Sequence, residues 1–249
     1  MGIKVVLMDL DGTVYRGNEL IPGADSAIRS IRDCMELVFF TNNSGSTRKE
    51  IAGKLESMGI TCTEDDVLSS GYMAAVYAKE NRLEDVYVCG TDSLREEFRA
   101  QGIKMAEPSD ARCTVVGFDP EFDYGKLAMG VRAAMRSERL IACNKERIFP
   151  CGDGMCPGSG AMVSSAEFCS GKDADLIVGK PNTLMLDLVT KRYSVDRSEI
   201  LVVGDTYESD IVMADAYGAR SVLIGDRQGR CMSLDSISEL PDFIRKASD

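Results

Sequence analysis

The feature that most constrains the fold of this chain is a series of short, continuous apolar runs separated by helical patterns. Apolar runs without alternation are typical of parallel strands that are covered on both faces of a sheet. We predict strands at residues 3–10, 37–40, 86–89, 113–116, 140–142, 176–178, 200–203 and 221–224. We predict helices at residues 24–32, 47–58, 70–80, 93–101, 124–137, 183–193 and 209–217. This alternation favours an α/β architecture with parallel sheets and right-handed crossovers.

The composition excludes several kinds of chemistry. The chain has no histidine, so a Ser-His-Asp triad, a Cys-His dyad and a histidine zinc site are all impossible. Proton transfers in an enzyme of this composition must therefore use Asp, Glu, Lys, Tyr or Cys. The net charge of -11 also makes the chain a poor partner for nucleic acid, whose binding depends on basic surface.

The cysteines and the apolar runs bear on the cellular compartment. None of the nine cysteines forms a C-x-x-C pair, and we expect mostly buried thiols in a reducing cytoplasm. A metal site at Cys151 and Cys156 is the less favoured alternative, because neither histidine nor a further cysteine pair could complete it. No apolar run approaches the roughly 20 residues of a membrane helix, and no signal peptide is evident. We therefore expect a cytoplasmic protein without a membrane partner.

Carboxylates follow two of the predicted strands. Asp9 and Asp11 share one face at the end of the first strand, since side chains two residues apart in an extended chain point the same way. Asp205 and Asp210 follow the strand at 200–203. The carboxyl ends of parallel strands form the ligand-binding edge of an open α/β sheet, and clustered carboxylates suit Mg²⁺. These four aspartates therefore predict a magnesium site.

Two further strand ends carry groups suited to an anion. Thr41, Asn42 and Asn43 offer hydroxyl, amide and backbone N–H groups, and Lys180 adds a positive charge after the strand at 176–178. We predict that Thr41, Asn42 and Lys180 bind a phosphate that faces the metal.

Four motifs occur in order: Asp9-Leu10-Asp11-Gly12-Thr13, Thr41-Asn42-Asn43, Lys180-Pro181 and Gly204-Asp205 with Asp210. Together they resemble the motifs of the haloacid dehalogenase (HAD) superfamily, and the chain looks like its NagD-type, 4-nitrophenylphosphatase-like branch. The resemblance implies a doubly wound, Rossmann-like parallel-sheet core with an inserted α/β cap domain. It assigns residues 1–80 and 176–249 to the core and 81–175 to a cap that selects substrates.

The resemblance also implies a mechanism. Asp9 would attack phosphorus to form an aspartyl-phosphate, and Asp11 would act as general acid and then as general base. The Mg²⁺ ligands would be Asp9, the backbone carbonyl of Asp11 and Asp205, supported by Asp210. The implied activity is hydrolysis of small phosphate monoesters of the sugar phosphate, nucleotide or phosphoglycolate type. A phosphotransferase or mutase with the same intermediate, and a non-catalytic phosphometabolite-binding protein, are the alternatives.

Substrate contacts are predicted at Asn43 and in the loop that carries Asn144, Lys145 and Arg147. An Asp soon after Asn144 would be expected from the family pattern, whereas this chain has Asn144-Lys145-Glu146-Arg147. A more cationic loop would favour a substrate with a second anionic group. A homodimer is also possible.

Overall fold

The computed structural model describes residues 2–151, 154–225 and 231–248. The strands are β1 (Val5–Asp9), β2 (Tyr15–Arg16), β3 (Glu19–Leu20), β4 (Glu36–Thr41), β5 (Val67–Ser69), β6 (Val86–Cys89), β7 (Cys113–Val116), β8 (Arg139–Ala142), β9 (Ile148–Cys151), β10 (Gly154–Pro157), β11 (Leu176–Ile177), β12 (Ile200–Gly204), β13 (Arg220–Ile224) and β14 (Ser233–Leu234). The α-helices are α1 (Ala24–Arg32), α2 (Arg48–Ser57), α3 (Ser70–Glu80), α4 (Asp92–Ala100), α5 (Tyr124–Arg136), α6 (Ser159–Ser170), α7 (Leu184–Tyr193), α8 (Val212–Tyr217) and α9 (Leu240–Ser248). Short 3-10 turns span Glu64–Asp66, Arg197–Glu199 and Ile237–Glu239, and a π-helical turn spans Tyr207–Ile211.

The chain divides into two compact units. The six-stranded unit comprises residues 1–41, 51–68 and 180–249, and the four-stranded unit comprises residues 42–50 and 69–179. The segment that the sequence suggests as an insertion, 81–175, lies within the four-stranded unit. That unit also takes residues 42–50, 69–80 and 176–179, which the sequence analysis assigns to the core.

The sheet of the six-stranded unit has the strand order β14-β13-β12-β1-β4-β5. β1 pairs in parallel with β12 on one side and with β4 on the other. Every residue of β1 is buried, as expected for a central strand covered on both faces. The carboxyl ends of β1, β4 and β12 therefore lie at one edge of the sheet.

The four-stranded unit contains a parallel sheet of order β11-β8-β7-β6 and an antiparallel pair, β9 and β10. A cluster of buried side chains from this sheet and from α5 and α6 forms its core. Side-chain caps define where helices begin: Thr91 accepts from the Leu94 N–H and Asp123 accepts from the Lys126 N–H.

The predicted α/β fold with parallel sheets is confirmed, and most predicted elements agree with the observed ones to within one or two residues. The predicted helix at 209–217 instead begins as the π-helical turn at Tyr207 and continues as α8. The sequence analysis missed β9 and β10, because a run containing two prolines and glycines has little strand propensity. Within the described residues, no helix is long and apolar enough to cross a membrane.

The expectation of free thiols is wrong for one pair, because Cys151 and Cys156 form a disulfide. Antiparallel pairing places Cys156 opposite Phe149 and Cys151 opposite Gly154. The two cysteine Cα atoms are consequently 5.9 Å apart, within the range that a disulfide spans. The metal-pair alternative for these two residues is excluded by the same bond.

Alkylation followed by mass spectrometry tests this disulfide. Protein purified without reductant, then unfolded and alkylated, should carry the label on seven cysteines, and prior reduction should add Cys151 and Cys156. The variant Cys151→Ser should make Cys156 react without reduction. Complete labelling of the unreduced wild type would contradict the pairing.

Candidate active site

The end of β1 carries the first part of the candidate site. Asp9 is the last residue of the strand and is buried, and the Thr13 hydroxyl lies 3.4 Å from its Oδ2. Gly12 turns the chain away with a φ of 91°, in the left-handed region that favours glycine. A Cβ on Gly12 would lie 2.1 Å from Asp205 Oδ2. The turn after β1 can therefore approach Asp205 only because residue 12 has no side chain.

The end of β12 supplies the second part. The register pairs Met8 with Val203, so Asp9 and Gly204 occupy the same level of the sheet edge. The π-helical turn then brings Asp210 back toward the strand, where its Oδ2 accepts from the Thr206 N–H at 3.1 Å. One carboxylate oxygen from each of Asp9, Asp205 and Asp210 lies within 4.8 Å of the others. Three predicted metal ligands therefore converge.

Lys180 lies among these carboxylates. Its Nζ is 2.6 Å from Asp9 Oδ1 and 2.7 Å from Asp210 Oδ1, and all three side chains are buried. The same ammonium lies 4.5 Å from the centre of the Phe40 ring on β4. The lysine predicted to bind phosphate is thus the cation that accompanies the predicted nucleophile.

The electrostatics of this cluster show unbalanced negative charge. Burial raises the pKa of Asp9 well above its usual value, Lys180 opposes that shift, and Asp210 adds to it. Burial and the charge of Asp210 also raise the pKa of Asp205. Burial by itself would lower the pKa of Lys180, but the neighbouring carboxylates of Asp210 and Asp9 raise it. Three carboxylates around one lysine therefore suit an additional hard, divalent cation, for which oxygen ligands are appropriate.

The side chain of Asp11 has different neighbours. Among the described residues it is not part of the group of three carboxylates that could share a cation. The Tyr15 hydroxyl lies 3.4 Å from Asp11 Oδ2, and Lys54 Nζ lies 3.8 Å from the centre of the Tyr15 ring. The protein packed around the carboxyl raises the pKa of Asp11, and the charge of Lys54 opposes that shift. A carboxyl with a raised pKa is suited to donate a proton near neutral pH.

The predicted phosphate-binding residues fall in both units. Thr41 is the last residue of β4 in the six-stranded unit. The residue before it, Phe40, pairs with Asp9 in the sheet. Asn42 and Asn43 follow it in the chain but belong to the four-stranded unit. The Oδ1 of Asn43 accepts from the backbone N–H groups of Gly45 and Ser46 at 2.8 and 3.2 Å, which forms a local turn.

The predicted substrate loop also lies in the four-stranded unit, and its three residues differ in their surroundings. Asn144 is buried, with its side-chain amide bonded at both ends. Lys145 forms an ion pair with Glu167 at 2.7 Å. Arg147 is exposed. Lys145 is exposed as well, so the described contacts distinguish the two cations by the ion pair of Lys145.

Several supporting residues were missed by the sequence analysis. Tyr15 and Lys54 contact or approach Asp11, and Ser70 donates to the Asn42 carbonyl. Ser159 and Glu146, which bond to Asn144 and Asn42, lie in the stretches 152–160 and 144–150 that the sequence suggests as candidates for reaching the site. The four-residue spacing of Asp11 and Tyr15 could have indicated their proximity, because the two residues lie on either side of the turn after β1. Nothing in the spacing of the other residues indicates their proximity.

The fold is an α/β protein with a parallel sheet, and the carboxyl edge of that sheet carries aspartates and a lysine. These groups suit a site for a divalent cation and an anion. Residues 6–104 match the family model described as haloacid dehalogenase-like hydrolase, and residues 177–246 match a second HAD-hydrolase-like model. The chain belongs to the haloacid dehalogenase-like hydrolases.

Individual relatives agree with this assignment. The sugar-phosphatase AraL of Bacillus subtilis is 37% identical over 222 residues, which cover 88% of this chain and 82% of AraL. The 5'-nucleotidase YutF of the same organism is 32% identical, covering 97% of this chain and 98% of YutF. The structure of a p-nitrophenyl phosphatase from Archaeoglobus fulgidus superimposes with a TM-score of 0.91 at 26% identity, covering 98% of this chain and all of that one. A structure described as a putative NagD protein (25% identity, TM-score 0.91) and a 4-nitrophenylphosphatase from Thermotoga maritima (26% identity, TM-score 0.90) are also among the similar structures, which confirms the predicted branch.

Two glycine variants test the geometry of the cluster. Gly12→Ala should weaken Mg²⁺ binding, measured by titration calorimetry, by about 10-fold or more, because the new Cβ would displace Asp205. Gly17→Ala is the matched control, since Gly17 also has a positive φ of 58° but has open space around it. Both should cost about 1 kcal/mol of backbone strain in the free energy of unfolding. Equal Mg²⁺ affinity in the two variants would contradict the close approach.

Proposed function

We propose that this protein is a Mg²⁺-dependent phosphatase that hydrolyses small phosphate monoesters through an aspartyl-phosphate on Asp9. The observation that carries the proposal is the placement of Lys180 Nζ 2.6 Å from Asp9 within a cluster of three carboxylates. The names of the relatives, which include a sugar phosphatase, a nucleotidase and a p-nitrophenyl phosphatase, support the substrate class.

Asp9 acts as the nucleophile in this proposal. Its carboxylate oxygen attacks phosphorus, a P–O bond to Asp9 forms, and the P–O bond to the leaving alcohol breaks. Contact with Lys180 favours the ionised form of Asp9 that this attack needs. Mg²⁺ held by Asp9, the Asp11 backbone carbonyl, Asp205 and Asp210 would offset the repulsion between the carboxylate and the phosphate.

Asp11 supplies the proton transfers. Its raised pKa favours a protonated carboxyl that donates to the leaving oxygen. The resulting carboxylate then takes a proton from water as that water attacks the phosphoryl group on Asp9. Inorganic phosphate leaves, and both aspartates return to their starting states. Thr41, the Asn42 backbone and Lys180 hold the phosphoryl oxygens, so the chemistry consists mainly of positioning and charge stabilisation.

We propose further that the four-stranded unit serves as the cap that selects substrates. Its residues Lys145 and Arg147 and the side chain of Asn43 are the candidates for contact with the part of the substrate that is not transferred. A cytoplasmic location and a homodimer remain predictions of the sequence.

Hydrolysis of p-nitrophenyl phosphate tests the mechanism. Activity should be lost on removal of metal by EDTA and restored by Mg²⁺, and Asp9→Asn should lower kcat by about 1,000-fold or more because no nucleophile remains. Asp33→Asn, which changes an exposed aspartate of the same unit, is the control and should retain full activity. Activity that survives EDTA or Asp9→Asn would overturn the mechanism, and transfer to an added sugar would indicate a phosphotransferase.

The cationic loop generates a separate prediction. Arg147→Ala should raise KM about 5-fold for a substrate with a second anionic group, such as phosphoglycolate, because an exposed ion pair contributes up to about 1 kcal/mol. KM for p-nitrophenyl phosphate should stay unchanged. Lys145→Ala is the comparison, and it should have less effect because Lys145 already pairs with Glu167. Equal changes for both substrates would contradict a specific role for Arg147.

A further inference from the structure

Asn144 is at the centre of a buried hydrogen-bond network in the four-stranded unit. Its side chain is 2% exposed and follows β8 by two residues. The Nδ2 group donates to the Asn42 carbonyl at 2.6 Å and lies 3.4 Å from Ser70 Oγ. The Oδ1 atom accepts from Ser159 Oγ at 2.5 Å and from the Glu146 N–H at 3.0 Å. Both ends of the amide are therefore committed to the protein.

Asn42 is held by this network at two places. Its carbonyl accepts from Asn144 and also from Ser70 Oγ, at 2.6 Å each. Its side-chain Nδ2 donates to Glu146 Oε1 at 2.9 Å. A planar trans peptide points its C=O and the following N–H in opposite directions. Fixing the Asn42 carbonyl toward Asn144 therefore directs the N–H of Asn43 away from Asn144.

Cys143 and Asn144 also contact Gly179, the residue that precedes Lys180. The Gly179 N–H donates to the Cys143 carbonyl at 2.7 Å. A Cβ on Gly179 would lie 2.4 Å from Asn42 Oδ1 and 2.9 Å from Asn144 Cβ. Cys143 and Asn144 thus contact Gly179 and Asn42. Asn42 is bonded to Thr41 in the chain, and Gly179 is bonded to Lys180.

We propose that Asn144 is a positioning residue for the phosphoryl group rather than a contact for the variable part of the substrate. Asn144 holds the carbonyl of Asn42 through a hydrogen bond, and Cys143 holds the N–H of Gly179. The backbone next to Thr41 and next to Lys180 is thereby held in one conformation. This inference rests on the proposed function. Its consequence is that loss of Asn144 affects all phosphate esters equally.

Asn144→Asp provides the main test, because it keeps the shape of the side chain but replaces the donor to the Asn42 carbonyl with an acceptor. We expect kcat/KM to fall by about 100-fold, the effect of a misplacement of about 1 Å, by the same factor for p-nitrophenyl phosphate and for a sugar phosphate. The inhibition constant of inorganic phosphate should rise as well, which reports on the phosphoryl site itself. Ser70→Ala removes the other donor to that carbonyl and should give a smaller loss of the same kind.

Asn81→Asp is the matched control, since the Asn81 amide also donates to a backbone carbonyl of this unit, at 2.9 Å, but on the surface. It should leave kinetics and phosphate inhibition unchanged. The inference is wrong if folded Asn144→Asp or Ser70→Ala protein matches the wild type, or if it loses activity on only one class of ester. A wild-type protein that hydrolyses no phosphate ester would instead contradict the proposed function. Circular dichroism of each variant separates these results from a failure to fold.

Discussion

The candidate site of the six-stranded unit depends on one buried ionic contact, in which Lys180 lies between Asp9 and Asp210. Moving charged groups out of water costs several kcal/mol per ion, so the contact persists only with close geometry and further hydrogen bonds. The Thr13 hydroxyl near Asp9 and the Thr206 N–H on Asp210 supply some of these bonds. Charge and hydrogen bonding therefore hold together segments that are far apart in the chain.

The backbone accommodates this cluster at the two turns that leave the central strands. A Cβ on Gly12 would meet the Asp205 carboxylate, and one on Gly204 would lie 2.2 Å from Asp210 Oδ2. The turn after β1 and the last residue of β12 consequently each place a glycine where a carboxylate of the cluster needs space. The remaining excess of negative charge is compensated only in part by Lys180, which accounts physically for a site that a divalent cation would stabilise.

The sequence predicts those features that follow from periodicity and strand order. Apolar runs identify the parallel strands, and the two-residue spacing of Asp9 and Asp11 locates the carboxyl edge of the sheet. The position of Lys180 after a predicted strand also indicates an anion site, but spacing alone does not predict its contacts with Asp9 and Asp210. The disulfide and the partners of Asn144 could not be predicted, because they depend on pairing register and on contacts across 102 residues between Asn144 and Asn42.

The positions where the chain passes from one unit to the other explain why such distant contacts bear on the site. The chain changes unit between Thr41 and Asn42 and again between Gly179 and Lys180. Each of these two peptide bonds therefore joins a residue of the four-stranded unit to Thr41 or Lys180, which are proposed to hold the phosphoryl group. Each of these peptide planes is rigid and contains groups of both residues that it joins, so the Asn42 N–H is oriented together with the Thr41 carbonyl, and the Lys180 N–H together with the Gly179 carbonyl. The proposed positioning role of Asn144 therefore concerns Asn42 and Gly179, the residues of the four-stranded unit that are bonded directly to Thr41 and Lys180.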